Sequence, residues 1–367
     1  MAIGRKVKIL CAAGGTGGHL FPAVAVAEKI SELNDGKAEI HFIGRPDKIE
    51  AEVTPKLGYK FHPLKMRGLN KLFSLDTLLM PFNIFRNIVR CKQLIRDEKF
   101  DAVICTGAYI SYPPGMAASQ EKVPLILMES NVNPGKSIRM LSAKADLILT
   151  SFEESAKFFE KGTASKIKYT GNPVRKKIQD YSTKKNLPPA FDLDPDKFTV
   201  LIFGGSLGAK SINTAIEKNI DKLAALDAQY LWQTGKNYDY KGTLPSNFTQ
   251  VRFIDDMAAA YAAADLVLAR SGATTVAELG IVAKPAILVP FPGAANNEQE
   301  QNARVMEKKG AAIKIEDKDL LTGLYSKISE LIVDKARLRS MQIASASLAK
   351  PNAAHDCARE ILNFLMK

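Results

Sequence analysis

No apolar run in this sequence approaches the ~20 residues a helix needs to cross a bilayer, so no membrane-spanning segment is expected. Cysteine is scarce: Cys11, Cys91, Cys105 and Cys357 are scattered and form no CxxC pair. That spacing excludes a zinc framework and a disulfide-stapled miniprotein and fits buried thiols in a reducing compartment. Nor is a secretory signal expected. Arg5 and Lys6 ahead of an apolar stretch imitate one, but Lys8 interrupts the stretch and Gly14-Gly15 end it, as in a strand entering a loop. Metal-ligand spacing is lacking as well, since the acidic pair Asp192-Leu193-Asp194 stands beside Pro195 in a proline-rich stretch and is read as a turn. Acidic residues are in deficit, 39 against 51 Lys and Arg, for a formal charge of +12. That surplus leaves phosphate ligands, nucleic acid and anionic lipid all open as partners.

What is present is ordinary for a globular protein, with 46% hydrophobic and 25% charged residues. A length of 367 residues implies two domains. Short β-branched runs at 7–10, 39–43, 102–105, 125–128 and 147–150 alternate with amphipathic segments such as 23–33. A second set follows at 199–203, 230–233, 251–253, 266–269 and 286–289. Such alternation predicts an α/β fold with parallel sheets covered on both faces. A strand running into a glycine turn and then a helix occurs twice, at Gly14-Gly15 and again at Gly204-Gly205, which argues for two Rossmann-like domains. The polar, proline-rich stretch 182–197 marks a boundary loop, with Gly171-Asn172-Pro173 a hinge ahead of it. Pro351 precedes a terminal helix over 353–366.

The first glycine loop, Gly14-Gly15-Thr16-Gly17-Gly18-His19, lets backbone approach a ligand closely and opens a helix whose free N–H groups favour phosphate. The dinucleotide pattern GxGxxG fails because Leu20 stands where its last glycine should be. Arg45, after the second strand, leaves an NADP-dependent oxidoreductase open by offering a partner to a 2′-phosphate. His19 at the helix start is either structural or a base. The positive dipole end disfavours imidazolium and so favours a neutral base. The loop from Gly204 to Ser211 fails as a Walker motif because Ala209 separates Gly208 from Lys210, yet its backbone and the Ser206 hydroxyl suit an anion. Arg270-Ser271-Gly272-Ala273-Thr274 opens a third such helix, with Glu278 one turn in, either receiving ribose hydroxyls or standing as a solvated charge.

One segment differs in kind. Residues 60–100 carry nine Lys and Arg against three Asp and Glu, half the excess charge of the chain. Leu78, Phe82, Phe85 and Ile88 recur there at helical spacing, with Arg86, Arg90 and Lys92 close by. The pattern fits either a core-facing helix with a solvated basic face or docking to an anionic lipid surface. Nucleic acid is less well supported, since no recognised binding module appears.

Six ordered motifs, GGTGGH at 14–19, GNPVR at 171–175, GGSLGA at 204–209, FIDDM at 253–257, RSGATTVAE at 270–278 and NNEQEQNA at 296–303, resemble the MurG family over essentially the whole chain. The family comprises inverting UDP-N-acetylglucosamine transferases that convert lipid I to lipid II in peptidoglycan synthesis. The resemblance implies the GT-B architecture, two Rossmann-like parallel-sheet domains facing across a deep cleft. An acceptor and membrane-associating domain over 1–172 would carry the terminal helix 351–367, and a UDP-sugar domain would span 173–350. It also implies that Thr16, Gly17 and Gly18 face the diphosphate and sugar, that His19 is the base, and that Asn131 is the family's cleft asparagine. Arg175, Ser206, Gly272, Ala273 and Thr274 would bind the donor. Ile254 would recognise uracil through its backbone, Glu278 would hold the ribose hydroxyls, and Gln299 would read the sugar. Gly107, Ala108 and Tyr109 match the acceptor loop, where the family usually has two glycines, and Glu298 stands where His or Gln is usual. Leu78, Phe82, Phe85 and Ile88, with Arg86 and Arg90, match the lipid-facing patch. Implied partners are UDP-GlcNAc, lipid I, an anionic membrane at its cytoplasmic face and a cell-wall synthesis complex, with no nucleic acid, no cofactor and no catalytic metal.

Overall fold

The computed structural model describes residues 6–66, 80–182, 191–205, 207–238 and 240–366. The chain forms two compact units, Met1–Val174 with Asn352–Lys367, and Arg175–Pro351. In the first unit, strands β1 (Val7–Ala12), β2 (Ala38–Gly44), β3 (Lys60–Pro63), β4 (Ala102–Cys105), β5 (Leu125–Glu129), β6 (Leu147–Thr150) and β7 (Ile167–Tyr169) form one sheet in the order β3-β2-β1-β4-β5-β6-β7. Every neighbouring pair is parallel. Because successive side chains of a strand point to opposite faces, β1 feeds two cores. Ile9 and Cys11 pack in the layer built by the helices Gly17–Leu33 and Ala353–Leu365, whereas Leu10 and Ala12 join Ile88, Cys91 and Ile95 on the other side. Each such buried aliphatic contributes about 1.5–3 kcal/mol, so the near-continuous apolar runs of the central strands are what a sheet covered on both faces requires.

The second unit repeats the arrangement. Strands β8 (Thr199–Phe203), β9 (Gln229–Gln233), β10 (Phe248–Val251), β11 (Leu266–Ala269), β12 (Ala286–Leu288) and β13 (Ala312–Lys314) order as β10-β9-β8-β11-β12-β13, again all parallel. Strand β10 lies three residues before the expected 251–253, and β3, β7 and β13 have no counterpart in the sequence reading. All four are sheet-edge strands, where one flank meets solvent and the apolar run that marks a central strand is not needed.

In both sheets the strand order reverses beside the first strand, between β1 and β4 and between β8 and β11. In open α/β sheets ligands bind beyond the carboxyl ends of the strands at such a switch point. Register keeps the paired ends level, with Ala12 opposite Cys105 and Phe203 opposite Ala269.

The basic segment forms the helix Met80–Glu98. Phe82, Phe85 and Val89 are 63%, 65% and 48% exposed, and Arg86 and Arg90 stand exposed among them. Ile88 does not belong to that patch: it is 9% exposed and packs in the core with Cys91 and Ile95. Helical geometry gives the correction, since residues 82, 85 and 89 share one stripe while 84, 88, 91 and 95 share another. Leu78 lies outside the described residues. Among the described residues no helix is long and apolar enough to cross a membrane. The four cysteines are free and buried, and burial pushes the Cys11, Cys91 and Cys357 thiols up to about 12.

Candidate active site

At the first switch point the loop after β1 meets the loop after β4. Thr16 is the exposed N-cap of the Gly17–Leu33 helix, so Gly17 and Gly18 supply its first N–H groups, which have no earlier turn to pair with. His19 is half-buried, and its Nδ1 lies 2.8 Å from the carbonyl oxygen of Thr106. A carbonyl can only accept, so Nδ1 carries the proton and Nε2 keeps its lone pair. Burial pushes the imidazole pKa below its ordinary value, opposed by the Thr106 bond and by the charge of Glu50. The ring is thereby fixed as a neutral base in one tautomer. Gly107 makes this possible: its φ is +100°, and a β-carbon there would come within 3.1 Å of the His19 ring.

Ala108 follows with φ 54° and ψ 166°, a region that essentially only glycine populates. A β-carbon placed on Gly15 would meet the Ala108 methyl at 3.9 Å, so that methyl faces the first glycine loop. Relief of about 1–3 kcal/mol of strain, less about 0.5–1 kcal/mol for glycine's extra unfolded-state freedom, sets the expectation for Ala108→Gly. It raises stability by about 1 kcal/mol and the melting temperature by about 2–4 °C, readable by calorimetry, and a lowered melting temperature contradicts the strain. Tyr109 accepts a hydrogen bond from Arg45, whose Nε also reaches Asp47 at 2.8 Å. Arg45 is thus held by its own neighbours, which removes the basis for assigning it to an NADP 2′-phosphate.

Asn131 follows β5 and is 8% exposed. Its backbone N–H and its side-chain amide both donate to Glu129 Oε1, at 2.8 and 3.2 Å, while Gly135 N–H donates to Oε2 at 2.9 Å. Glu129 therefore shapes the turn that presents Asn131, a role the sequence reading missed.

The second unit gathers its own constellation. Gly272 caps the helix Ala273–Val282 after β11, and Thr274 Oγ1 is buried without a partner among the described residues. One turn on, Glu278 is 6% exposed, which settles its alternatives against a solvated charge. The Tyr261 hydroxyl donates to Glu278 Oε2 at 2.9 Å, and Arg175 lies 3.7 Å from Oε1. Burial pushes the Glu278 carboxyl up, and the Arg175 charge and the Tyr261 bond only partly offset it. Ile254 is buried and Phe253 beside it is 45% exposed. Gln299 opens toward the same loop system: its Oε1 accepts from Phe291 N–H at 3.0 Å and its carbonyl accepts from Ser271 Oγ at 2.8 Å, leaving the side-chain NH2 to donate. Glu298 beside it is half-buried, and burial raises its pKa. Ser206 lies outside the described residues.

Behind these loops Arg270 donates to Ser211 Oγ at 2.7 Å, to Asp317, and to the carbonyls of Val289 and Pro290 at 3.1 Å each. Ser211 is in the first turn of the Lys210–Ala224 helix, so this buried guanidinium ties the starts of two helices together. Arg270 opens the run 270–278, but its role depends on Asp317, 47 residues away. The Asp192-Leu193-Asp194 segment forms a turn in which Asp194 Oδ1 accepts from Asp196 N–H at 3.0 Å. Among the described residues one trio, His41, His62 and Glu98, brings metal-ligand atoms within 4.8 Å of one another. Lys8 and Lys60 both donate to Glu98, however, and His41 bonds both Glu39 and His62, so two ammonium groups oppose a cation there.

Two parallel-sheet units, each with a glycine loop and a helix start at its switch point, are the architecture of nucleotide-sugar enzymes of the GT-B fold, and the family matches make the class a glycosyltransferase. The model of the glycosyltransferase family 28 N-terminal domain matches residues 9–150 and that of its C-terminal domain matches residues 199–357. Similar proteins include the UDP-N-acetylglucosamine–N-acetylmuramyl-(pentapeptide) pyrophosphoryl-undecaprenol N-acetylglucosamine transferase of Phocaeicola vulgatus, 35% identical over 99% of this chain and 97% of its own. The transferase of the same name from Desulfitobacterium hafniense is 37% identical over 98% of this chain and 100% of its own. The crystal structure of MurG from Acinetobacter baumannii superimposes with a TM-score of 0.75 at 24% identity, covering 98% of this chain and 100% of that one. The chain belongs to the MurG family of glycosyltransferases. The oxidoreductase alternative finds no support.

Proposed function

We propose that this chain transfers N-acetylglucosamine from UDP-GlcNAc to the C4 hydroxyl of lipid I, forming lipid II with inversion at the anomeric carbon. The observation that carries the reading is His19, fixed at the first switch point with Nδ1 committed to Thr106 and Nε2 left as a base. The hydroxyl oxygen bonds to the anomeric carbon, the bond from that carbon to the diphosphate breaks, and UDP departs with the electron pair. His19 Nε2 takes the hydroxyl proton as the new bond forms. In the second unit the helix start at Gly272–Thr274 faces the developing diphosphate charge with N–H groups. Buried Glu278 receives the ribose hydroxyls, Ile254 pairs with uracil through its backbone, and Gln299 donates to the sugar. Asn131, Arg175 and Ser206 complete the donor set, and the loop Gly107–Tyr109 contacts the acceptor. The likeness to full-length transferases of this activity supports the choice of substrates. UDP release that depends on a lipid I analogue tests it.

The reading extends to a membrane. Phe82, Phe85 and Val89 with Arg86 and Arg90 form an apolar stripe set in positive charge, which suits an anionic leaflet. On this reading the enzyme is a peripheral protein at the cytoplasmic face, where lipid I and a cell-wall synthesis complex would be its partners. The Phe82→Ser/Phe85→Ser double variant should lose about tenfold or more of its sedimentation with phosphatidylglycerol-containing vesicles, with neutral vesicles binding little of either protein. Unchanged sedimentation contradicts the assignment.

A further inference from the structure

The first glycine loop already holds an anion of its own. Glu50, the second residue of the Ile49–Lys56 helix, is fully buried. Its Oε2 accepts from Gly15 N–H at 3.0 Å, and its Oε1 accepts from Arg45 N–H at 2.9 Å. Two glycines make room for it: a β-carbon on Gly14 would lie 2.2 Å from Oε1, and one on Gly44 would lie 2.4 Å from Cγ. The carboxylate therefore pins the turn after β1 to the end of β2. Both of its oxygens act as acceptors, which is the bonding pattern of the ionised form.

This changes the reading of the loop. Its Gly15 amide is spent on Glu50, and a buried negative charge behind it disfavours a second anion at that spot. The same charge acts in the opposite sense on His19. During transfer the imidazole goes from neutral to cationic, so a carboxylate fixed on Gly15, in the same loop as His19, stabilises the state after proton uptake more than the state before it.

We propose that Glu50 is a positioning residue for the transfer: it anchors the Gly14-Gly15 turn to the end of the second strand, and its charge supports the imidazolium that forms on His19. The inference rests on His19 as the base. No sequence motif flagged it, because its partners are two backbone amides from separate strand ends.

The test is Glu50→Gln in the full chain, whose amide sets an NH2 against one of the two backbone donors and removes the charge. Turnover should fall about tenfold or more while KM for UDP-GlcNAc moves less than about threefold. The acid limb of the kcat/KM profile should shift to lower pH, because His19 loses the charge that favours its protonation. Histidine NMR, with His19 assigned from the His19→Ala spectrum, should show the same downward shift in titration. An unmoved His19 titration in folded Glu50→Gln overturns the proposal. A shifted titration with an unmoved acid limb overturns instead the reading of His19 as base. If Glu50→Gln does not fold, Glu50→Asp decides: reduced turnover with an unmoved acid limb supports the anchor, and wild-type turnover overturns it.

Discussion

Replacing His19 by alanine should lower turnover about 10²–10⁴-fold, the range by which a positioned general base accelerates proton transfer, while UDP affinity changes less than about threefold. The separation follows from where the residue sits. His19 belongs to the first unit and its ring bonds the Thr106 carbonyl through Nδ1, whereas Ile254 and Glu278, the groups assigned to uracil and ribose, belong to the second. The ring carries no load in either hydrophobic core, so its loss should leave the fold intact by circular dichroism. Its pKa, lowered chiefly by burial, keeps Nε2 unprotonated at neutral pH. Activity of the wild type should therefore fall only on acidification, as the imidazole becomes cationic and can no longer accept the hydroxyl proton. A His19→Ala protein with undiminished turnover removes the base assignment and the mechanism built on it.

Glu278→Gln should weaken UDP binding about 10–100-fold, measured by calorimetric titration. A carboxylate receiving two ribose hydroxyls makes charge-assisted bonds of about 1.5–3 kcal/mol each, and the neutral amide retains only part of that. The substitution keeps an oxygen for the Tyr261 hydroxyl, now 2.9 Å from Oε2, so no buried hydroxyl is stranded. Burial already pushes the Glu278 carboxyl up, which means that its charge is costly in the free protein. Removing it should therefore not destabilise the second unit, and the melting temperature without ligand should hold or rise. Unchanged UDP affinity would show that the carboxylate does not face the ribose.

Both results depend on features that sequence reasoning reached unevenly, and the reason is physical. Central strands such as β4, β6, β8 and β11 are apolar on both faces, so their bounds are legible in the residues themselves. Lys60–Pro63 and Ile167–Tyr169 gain their strand character from a neighbour on one side only, and nothing in their own pattern declares it. The same holds at the sites. Glycine loops announce a switch point because the backbone there must come close to something. What orients His19, however, is the carbonyl of Thr106, 87 residues away, and a backbone acceptor leaves no trace in side-chain identity. Glu50 and Arg270 are legible only once the strand ends they bridge are placed together, and Glu129 only once the turn it closes onto Asn131 and Gly135 is seen. The basic helix was visible as charge beside large apolar residues. Only the three-dimensional stripe separates exposed Phe82 and Phe85 from Ile88, which faces the core.

The central claim is that the chain moves a sugar from UDP to a lipid-linked acceptor. UDP release from UDP-GlcNAc, followed with and without a lipid I analogue, tests it most directly. The account predicts release that saturates with the analogue, leaves a β-linked disaccharide as product, and stays near background when the analogue is omitted. Release that ignores the acceptor, or no release at all with both substrates present, would contradict it.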